Sequence, residues 1–266
     1  MIVSFLTEQG GVGKTSLVFN LGWYLASKGK KVLMIDTDPQ GGNLSRLVGI
    51  RDLDETPGIV DILRDPSTYT LKDSTIEIRE NLYIIPANET ARELPDVYKE
   101  LNEDEKCLKK ELDKVKKKYD YIFIDTSPAP SDVHVIALVA SEKLIIPLLP
   151  DVKSIDATQN VIDTYEAVKD AYNKKLEVLG LVYNMYESRT NISRVVQEAL
   201  TTSYRKKAIK FTEAKIPKNV AMSNAWALKT GVTECFPKSK GAVIYRQLAE
   251  ELFGIEDEEG EKAWKR

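Results

Sequence analysis

The opening of the chain most constrains what it can fold into. An apolar run at 2–6 leads into a turn containing Gly10, Gly11 and Gly13, and Lys14-Thr15 then feeds an amphipathic stretch at 17–26. Strand, glycine loop and helix in that order make a cradle for an anion. Glycine lets backbone N–H groups curl around phosphate with no Cβ in the way. The helix start adds unpaired N–H groups and the positive end of its dipole. In such a loop Lys14 can reach the terminal phosphates of a nucleotide, and the Thr15 hydroxyl can hold Mg²⁺.

Further short apolar runs follow at 32–35, 121–124, 144–148 and 178–183, separated by helical patterns. Runs apolar at nearly every position read as strands buried on both faces of a parallel sheet. Between them, Leu17, Leu21 and Leu25 mark one helix. Leu108, Leu112, Val115 and Tyr119 mark a second, and 155–168 a third. The expected fold is α/β: a doubly wound, mostly parallel sheet with helices on both sides. Residues 51–100 are broken by Pro57-Gly58, Pro66, Asn81, Pro86 and Pro95, with short strand candidates at 75–78 and 82–85. They read as an elaboration of the same domain. The expected organisation is one domain over 1–253 and a charged, frayed tail over 254–266.

The 266 residues, 42% hydrophobic and 30% charged, are enough for a sizeable core. Two cysteines far apart point away from a disulfide framework or a zinc or iron–sulfur site. A strand at the very start leaves no room for a signal peptide. No apolar run approaches the ~18 residues of a membrane span. The expected compartment is the cytoplasm. At a net charge of −3, nucleic-acid binding would need a local basic patch.

Two strand ends carry acids. The run at 32–35 ends in Asp36-Thr37-Asp38-Pro39. Carboxylates at i and i+2 of an extended backbone point the same way, toward the crevice at the strand ends. There they can bind metal waters or orient an attacking water; an Asp-Pro turn with solvated acids is the alternative. The run at 121–124 ends in Asp125, four apolar residues and then an acid, the Walker B pattern. A carboxylate there can hold Mg²⁺ opposite Thr15.

Taken together, Gly10-Gly-Val-Gly-Lys14-Thr15, Asp36-Thr-Asp38-Pro-Gln-Gly41 and Tyr121-Ile-Phe-Ile-Asp125-Thr-Ser-Pro resemble the ParA/Soj branch of the deviant Walker A P-loop NTPases, relatives of MinD. Segments around Asn184, Ile216-Pro217-Lys218-Asn219 and 238–251 extend the resemblance over most of the chain, with 51–100 the least similar part. The resemblance implies ATP/ADP and Mg²⁺ as ligands, held by Gln9, Gly10, Gly11, Val12, Gly13, Lys14, Thr15 and Ser16. Lys14 would bind phosphates and Asp38 would position the hydrolytic water. Thr15, Asp36 and Asp125 would serve the metal. Asn184, with Met185, would read adenine, its amide offering both donor and acceptor; a strand-end turn former is the alternative. Ile216, Pro217 and Asn219 would form the other wall of the base site.

The resemblance also implies a homodimer with ATP sandwiched between subunits, nonspecific DNA binding by that dimer, and a ParB-like partner that stimulates hydrolysis. The work would be plasmid or chromosome segregation, with the protein on the nucleoid. Candidate phosphate contacts are Arg189, Lys218, Lys229, Lys238, Lys240 and Arg246, in a stretch rich in Lys and Arg that also includes Arg205, Lys206 and Lys207; an ordinary solvated lysine face is the alternative. Ala221 stands where many relatives carry arginine. A MinD-like membrane role is disfavoured, because acids precede Trp264 and anionic lipid repels them. His134, the single histidine, reads as a packing or surface residue. The main departure is Gln9, where the family's signature lysine reaches the other subunit's nucleotide. Gln brings no charge, so the second reading is a nucleotide-dependent DNA-binding or regulatory switch with little hydrolysis.

Overall fold

A computed structural model of the chain describes residues 1–38, 43–50, 56–187, 191–204, 207 and 209–256. The strands are β1 (Ile2–Phe5), β2 (Val32–Asp36), β3 (Ile76–Arg79), β4 (Leu82–Ile85), β5 (Tyr121–Asp125), β6 (Lys143–Leu148) and β7 (Glu177–Tyr183). The helices are α1 (Lys14–Ser27), α2 (Asn43–Leu47), α3 (Ile59–Arg64), α4 (Leu94–Glu100), α5 (Cys107–Val115) and α6 (Asp132–Ala140). After them come α7 (Lys153–Ala171), α8 (Asn191–Tyr204), α9 (Val220–Ala227), α10 (Val232–Cys235) and α11 (Lys240–Phe253).

The strands form one sheet in the order β3-β4-β2-β5-β1-β6-β7. All neighbours are parallel except β3 against β4. The expected doubly wound, mostly parallel α/β fold is present. Side chains alternate between two buried faces, the reason the strands read as unbroken apolar runs. Val3, Phe5, Met34 and Phe123 pack under α1 and α11, whereas Ile2, Leu33, Ile35 and Ile124 pack with residues of α3 to α6. A third cluster joins β6 and β7 to α7 and α8.

The sequence reading differs from the structure at Tyr119. It lies beyond α5, which ends at Val115 and passes through a 3₁₀ turn at Lys116–Lys118. Tyr119 is extended, sets its ring edge-on to Tyr83 at 5.7 Å, and leads directly into β5. Entry into the strand overrides the helical spacing.

The strand order matters for the site. Because β5 is inserted between β1 and β2, its last residue Asp125 pairs in register with Phe5 on one side and Asp36 on the other. The glycine loop leaves β1 at that same carboxyl end of the sheet. In an open parallel sheet, ligands bind at such carboxyl ends.

Candidate functional site

The loop enters α1 through Gly13, whose φ of 79° is left-handed. A Cβ there would sit 2.2 Å from Nδ2 of Asn184, so the position is closed to any side chain on two counts. No side chain caps α1, so its first N–H groups point into the crevice. The first helical residue is Lys14, only 7% exposed. Its Nζ lies 2.6 Å from Oδ1 of Asp125 and donates to the Thr126 carbonyl. Asp125 is fully buried and takes its counter-charge from the nearest cation. Its second oxygen, Oδ2, is buried with no hydrogen-bond partner among the described residues. A buried carboxylate oxygen without a donor fits a metal ligand, since such groups are otherwise satisfied.

Asp36 sits beside Asp125, also fully buried. Burial and then the neighbouring Asp125 charge push its carboxyl up to about 7, while hydrogen bonds from Ser45 and Asp38 oppose the rise. Its Oδ2 accepts from both N and Oγ of Ser45, at 2.9 and 2.7 Å. Its Oδ1 accepts from the Asp38 amide at 3.1 Å. The two acids therefore do not share the crevice as the i, i+2 spacing predicts. β2 ends at Asp36, and the turn that caps it sends Asp36 beneath the site and Asp38 into it. Asp38 faces the phosphate cleft and accepts at Oδ2 from Nδ2 of Asn43 at 2.8 Å.

Two adjoining clefts mark the ligand path. One, of about 250 Å³, is lined by Gln9, Gly11, Val12, Lys14, Thr15 and Asp38 among others. The second, of about 450 Å³, is lined by Asn184, Met185, Pro217, Lys218, Asn219 and Met222 among others. They share Gly13, Ser16 and Trp226. Asn184 ties the base wall to the loop: Nδ2 donates to the Val12 carbonyl at 2.7 Å, and Oδ1 accepts from the Met185 amide. Each end of the amide keeps one further hydrogen-bonding position.

The two other expected members, Gly10 and Ile216, line neither cleft. Gly10 is exposed at the tip of the loop. Ile216 is buried behind the wall, where its amide donates to Tyr183 O and its carbonyl accepts from Tyr186 N, seating Pro217. Asn219 caps α9 through a 2.8 Å bond from the Ala221 amide.

Gln9 is held within its own chain. Nε2 donates to both carboxylate oxygens of Asp151, at 3.2 and 2.9 Å, and Oε1 accepts from Ser154 Oγ at 2.6 Å. His134 is 2% exposed, with Nε2 2.9 Å from the Ser127 carbonyl. It packs under the loop that follows Asp125, and burial lowers its pKa below the ordinary 6.5.

Of the basic candidates, Lys218 lines the base cleft. Lys229 is exposed just past α9, with its stem against Gly49. Lys238 and Lys240 are exposed at the start of α11, and Arg246 donates to Pro237 O. Lys207 pairs with Glu166 at 2.6 Å. Arg189, Arg205, Lys206, Gly41 and Trp264 lie outside the described residues. No helix among the described residues is long and apolar enough to cross a membrane.

Sequence reasoning missed Asn43, Ser45, Asp151, Ser154 and Trp226. Only Trp226 had a local signal: Asn219, Met222, Ser223 and Trp226 fall at i, i+3, i+4 and i+7, one face of a helix. The others reach the site through turns and strand order.

Glycine loop, buried lysine, paired acids at adjacent strand ends and adjoining clefts define a P-loop nucleotide-binding protein. A family model described as an AAA domain matches residues 1–178. The sporulation initiation inhibitor protein Soj of Bacillus subtilis is 33% identical over 258 residues, covering 94% of this chain and 97% of that protein. The chain belongs to the ParA/Soj family of MinD/ParA-type ATPases. Among solved structures, the septum site-determining protein MinD of Pyrococcus horikoshii, complexed with Mg-ADP, superposes with a TM-score of 0.74 at 26% identity, over 95% of both chains. The cobyrinic acid a,c-diamide synthase of Mycobacterium smegmatis, with bound ADP and magnesium, gives 0.78 at 25% identity over 96% of both.

Proposed function

We propose that this chain is a ParA-type partition ATPase, with residues 1–253 acting as one unit, 51–100 an elaboration of it and 254–266 a tail. It binds Mg-ATP and dimerises across it. As the dimer it holds DNA nonspecifically and cycles by slow, ParB-like-partner-stimulated hydrolysis to move a plasmid or chromosome. Its place is the cytoplasm, on the nucleoid.

The observation that carries this reading is the cluster of Lys14, Asp125, Asp36 and Asp38 at the start of α1, next to the phosphate cleft. Lys14 leaves Asp125 for the phosphates when nucleotide enters. Thr15 and Asp125, whose Oδ2 is unpartnered, would hold Mg²⁺, with Asp36 behind them. Mg²⁺ supplies neutralisation of charge on the phosphate oxygens. Asp38, held by Asn43, orients the attacking water. Asn184 and Met185 with Pro217 and Asn219 enclose the base; Gly11, Val12, Gly13 and Ser16 line the path to it. Exposed apolar side chains, Met185 on the base wall and Val152, Val220 and Leu228 close in sequence to Asp151, Asn219 and Trp226, support burial against a second copy. Lys218, Lys229, Lys238, Lys240, Arg246 and Arg189 are the DNA-contact candidates; such contacts need charge and no base code.

Steady-state hydrolysis tests the reading. Asp38→Ala lowers turnover by about 10²–10⁴-fold, the usual worth of a positioned base, and leaves ATP affinity nearly unchanged. Equal turnover in both proteins would remove Asp38 from the chemistry. A second reading, the switch with little hydrolysis, is favoured by one observation: Gln9 is neutral and anchored to Asp151 and Ser154. Background turnover with DNA and partner present would select it.

A further inference from the structure

Trp226 has no part in the roles assigned above, yet it occupies the junction of the two clefts. It is 40% exposed, and its side chain makes no ring contact or hydrogen bond among the described residues. Trp23 shows what a structural tryptophan does in the same fold. It is 6% exposed, donates from Nε1 to Glu234 at 2.8 Å, packs on Phe19, and carries the Arg79 guanidinium 4.8 Å from its ring centre. An indole left partly in water gives up part of the large apolar area such rings usually bury.

Its position follows from α9. Asn219 caps the helix, and Met222, Ser223 and Trp226 come round on the same face, toward the base cleft. Trp226 then reaches further, to the phosphate cleft, across from Gly13 and Ser16. Those two residues flank Lys14 and Thr15 at the start of α1. In a nucleotide spanning both clefts, the part at this junction is the sugar with its first phosphate. Neither Asn184, on the base wall, nor Lys14, under the phosphate cleft, covers that part.

We infer that Trp226 is a nucleotide-binding residue, its indole packing on the sugar and positioning it between base wall and phosphate cradle. This rests on the nucleotide-binding reading of the two clefts. The contact is with the portion common to ATP and ADP, so Trp226 contributes equally to both and does not report the terminal phosphate.

Intrinsic fluorescence and calorimetric titration of the full-length protein with Mg-ATP and Mg-ADP test it. Wild type changes its tryptophan emission on binding either nucleotide, and Trp226→Phe loses that change. Trp226→Ala weakens both ligands by the same factor, about three- to tenfold for one lost aromatic contact. Trp226→Phe recovers most of that affinity, and both variants keep the wild-type melting temperature. Unchanged affinity in Trp226→Ala, or an emission change that persists in Trp226→Phe, overturns the inference alone. No binding of either nucleotide by the wild type overturns it together with the reading beneath it.

Discussion

At the scale of single residues, the proposed function makes position 9 the point that limits the rate. Gln9 spends both ends of its amide on Asp151 and Ser154, so reaching toward a partner's nucleotide means breaking three hydrogen bonds. A neutral donor that arrives there gives roughly half the strength of a charged one. Gln9→Lys therefore raises ATP turnover, by on the order of tenfold or more where charge on the phosphates limits the rate. The check is steady-state hydrolysis at saturating Mg-ATP; turnover equal to wild type would show that position 9 does not limit it. Much of this scale was legible in the chain itself. Lys14, Thr15, Asp38 and Asp125 belong to motifs with a fixed local geometry. Ser45 and Asp151 were not legible, because nothing near them in sequence marks contact with Asp36 or Gln9. The separation of Asp36 from Asp38 was missed for a different reason. It depends on where β2 stops, one residue beyond the apolar run.

At the scale of elements, two packing contacts support the site. His134 in α6 holds the Ser127 carbonyl, and Thr126 in the same loop accepts from Lys14. Because burial lowers the His134 pKa below 6.5, the unfolded chain takes up a proton that the folded chain refuses. Stability from this group is full above pH 6.5 and is lost as pH falls below it. Asp36 acts oppositely, since its folded carboxyl keeps a proton up to about 7 that the unfolded chain releases near 3.8. Asp36 is common to wild type and His134→Gln, so their difference isolates the histidine. The melting temperature of wild type should fall relative to His134→Gln between pH 7.5 and 5.5; parallel curves would contradict the assignment. The second contact sets the loop between α9 and α10 against α1, where a Cβ at Gly231 would come within 2.4 Å of the Trp23 ring. Trp23 is pinned by Glu234 and Arg79 and cannot yield cheaply. Gly231→Ala costs about 1–3 kcal/mol, as overpacked sites do, measured by urea unfolding. Unchanged stability would mean that α10 shifts freely over α1. The strands were the most legible elements, because burial on both faces writes them as continuous apolar runs. The short helices α2 and α10 lack room for a period and were not.

At the scale of the whole molecule, the site opens at the carboxyl ends of the central strands, and exposed apolar side chains include Met185 on the base wall and Val152, Val220 and Leu228, close in sequence to Asp151, Asn219 and Trp226. With a net charge of −3, the proposed DNA contact would depend on doubling a local basic surface, so binding should need ATP and weaken steeply with salt. In the proposed function both features rest on ATP-dependent dimerisation. The most direct measurement is the mass of Asp38→Ala in solution by light scattering, with Mg-ATP, with Mg-ADP and without nucleotide. Blocking hydrolysis traps the ATP state, so a dimer is expected with Mg-ATP and a monomer in the other two. A monomer in Mg-ATP, with ATP binding shown by titration of the same sample, would contradict it.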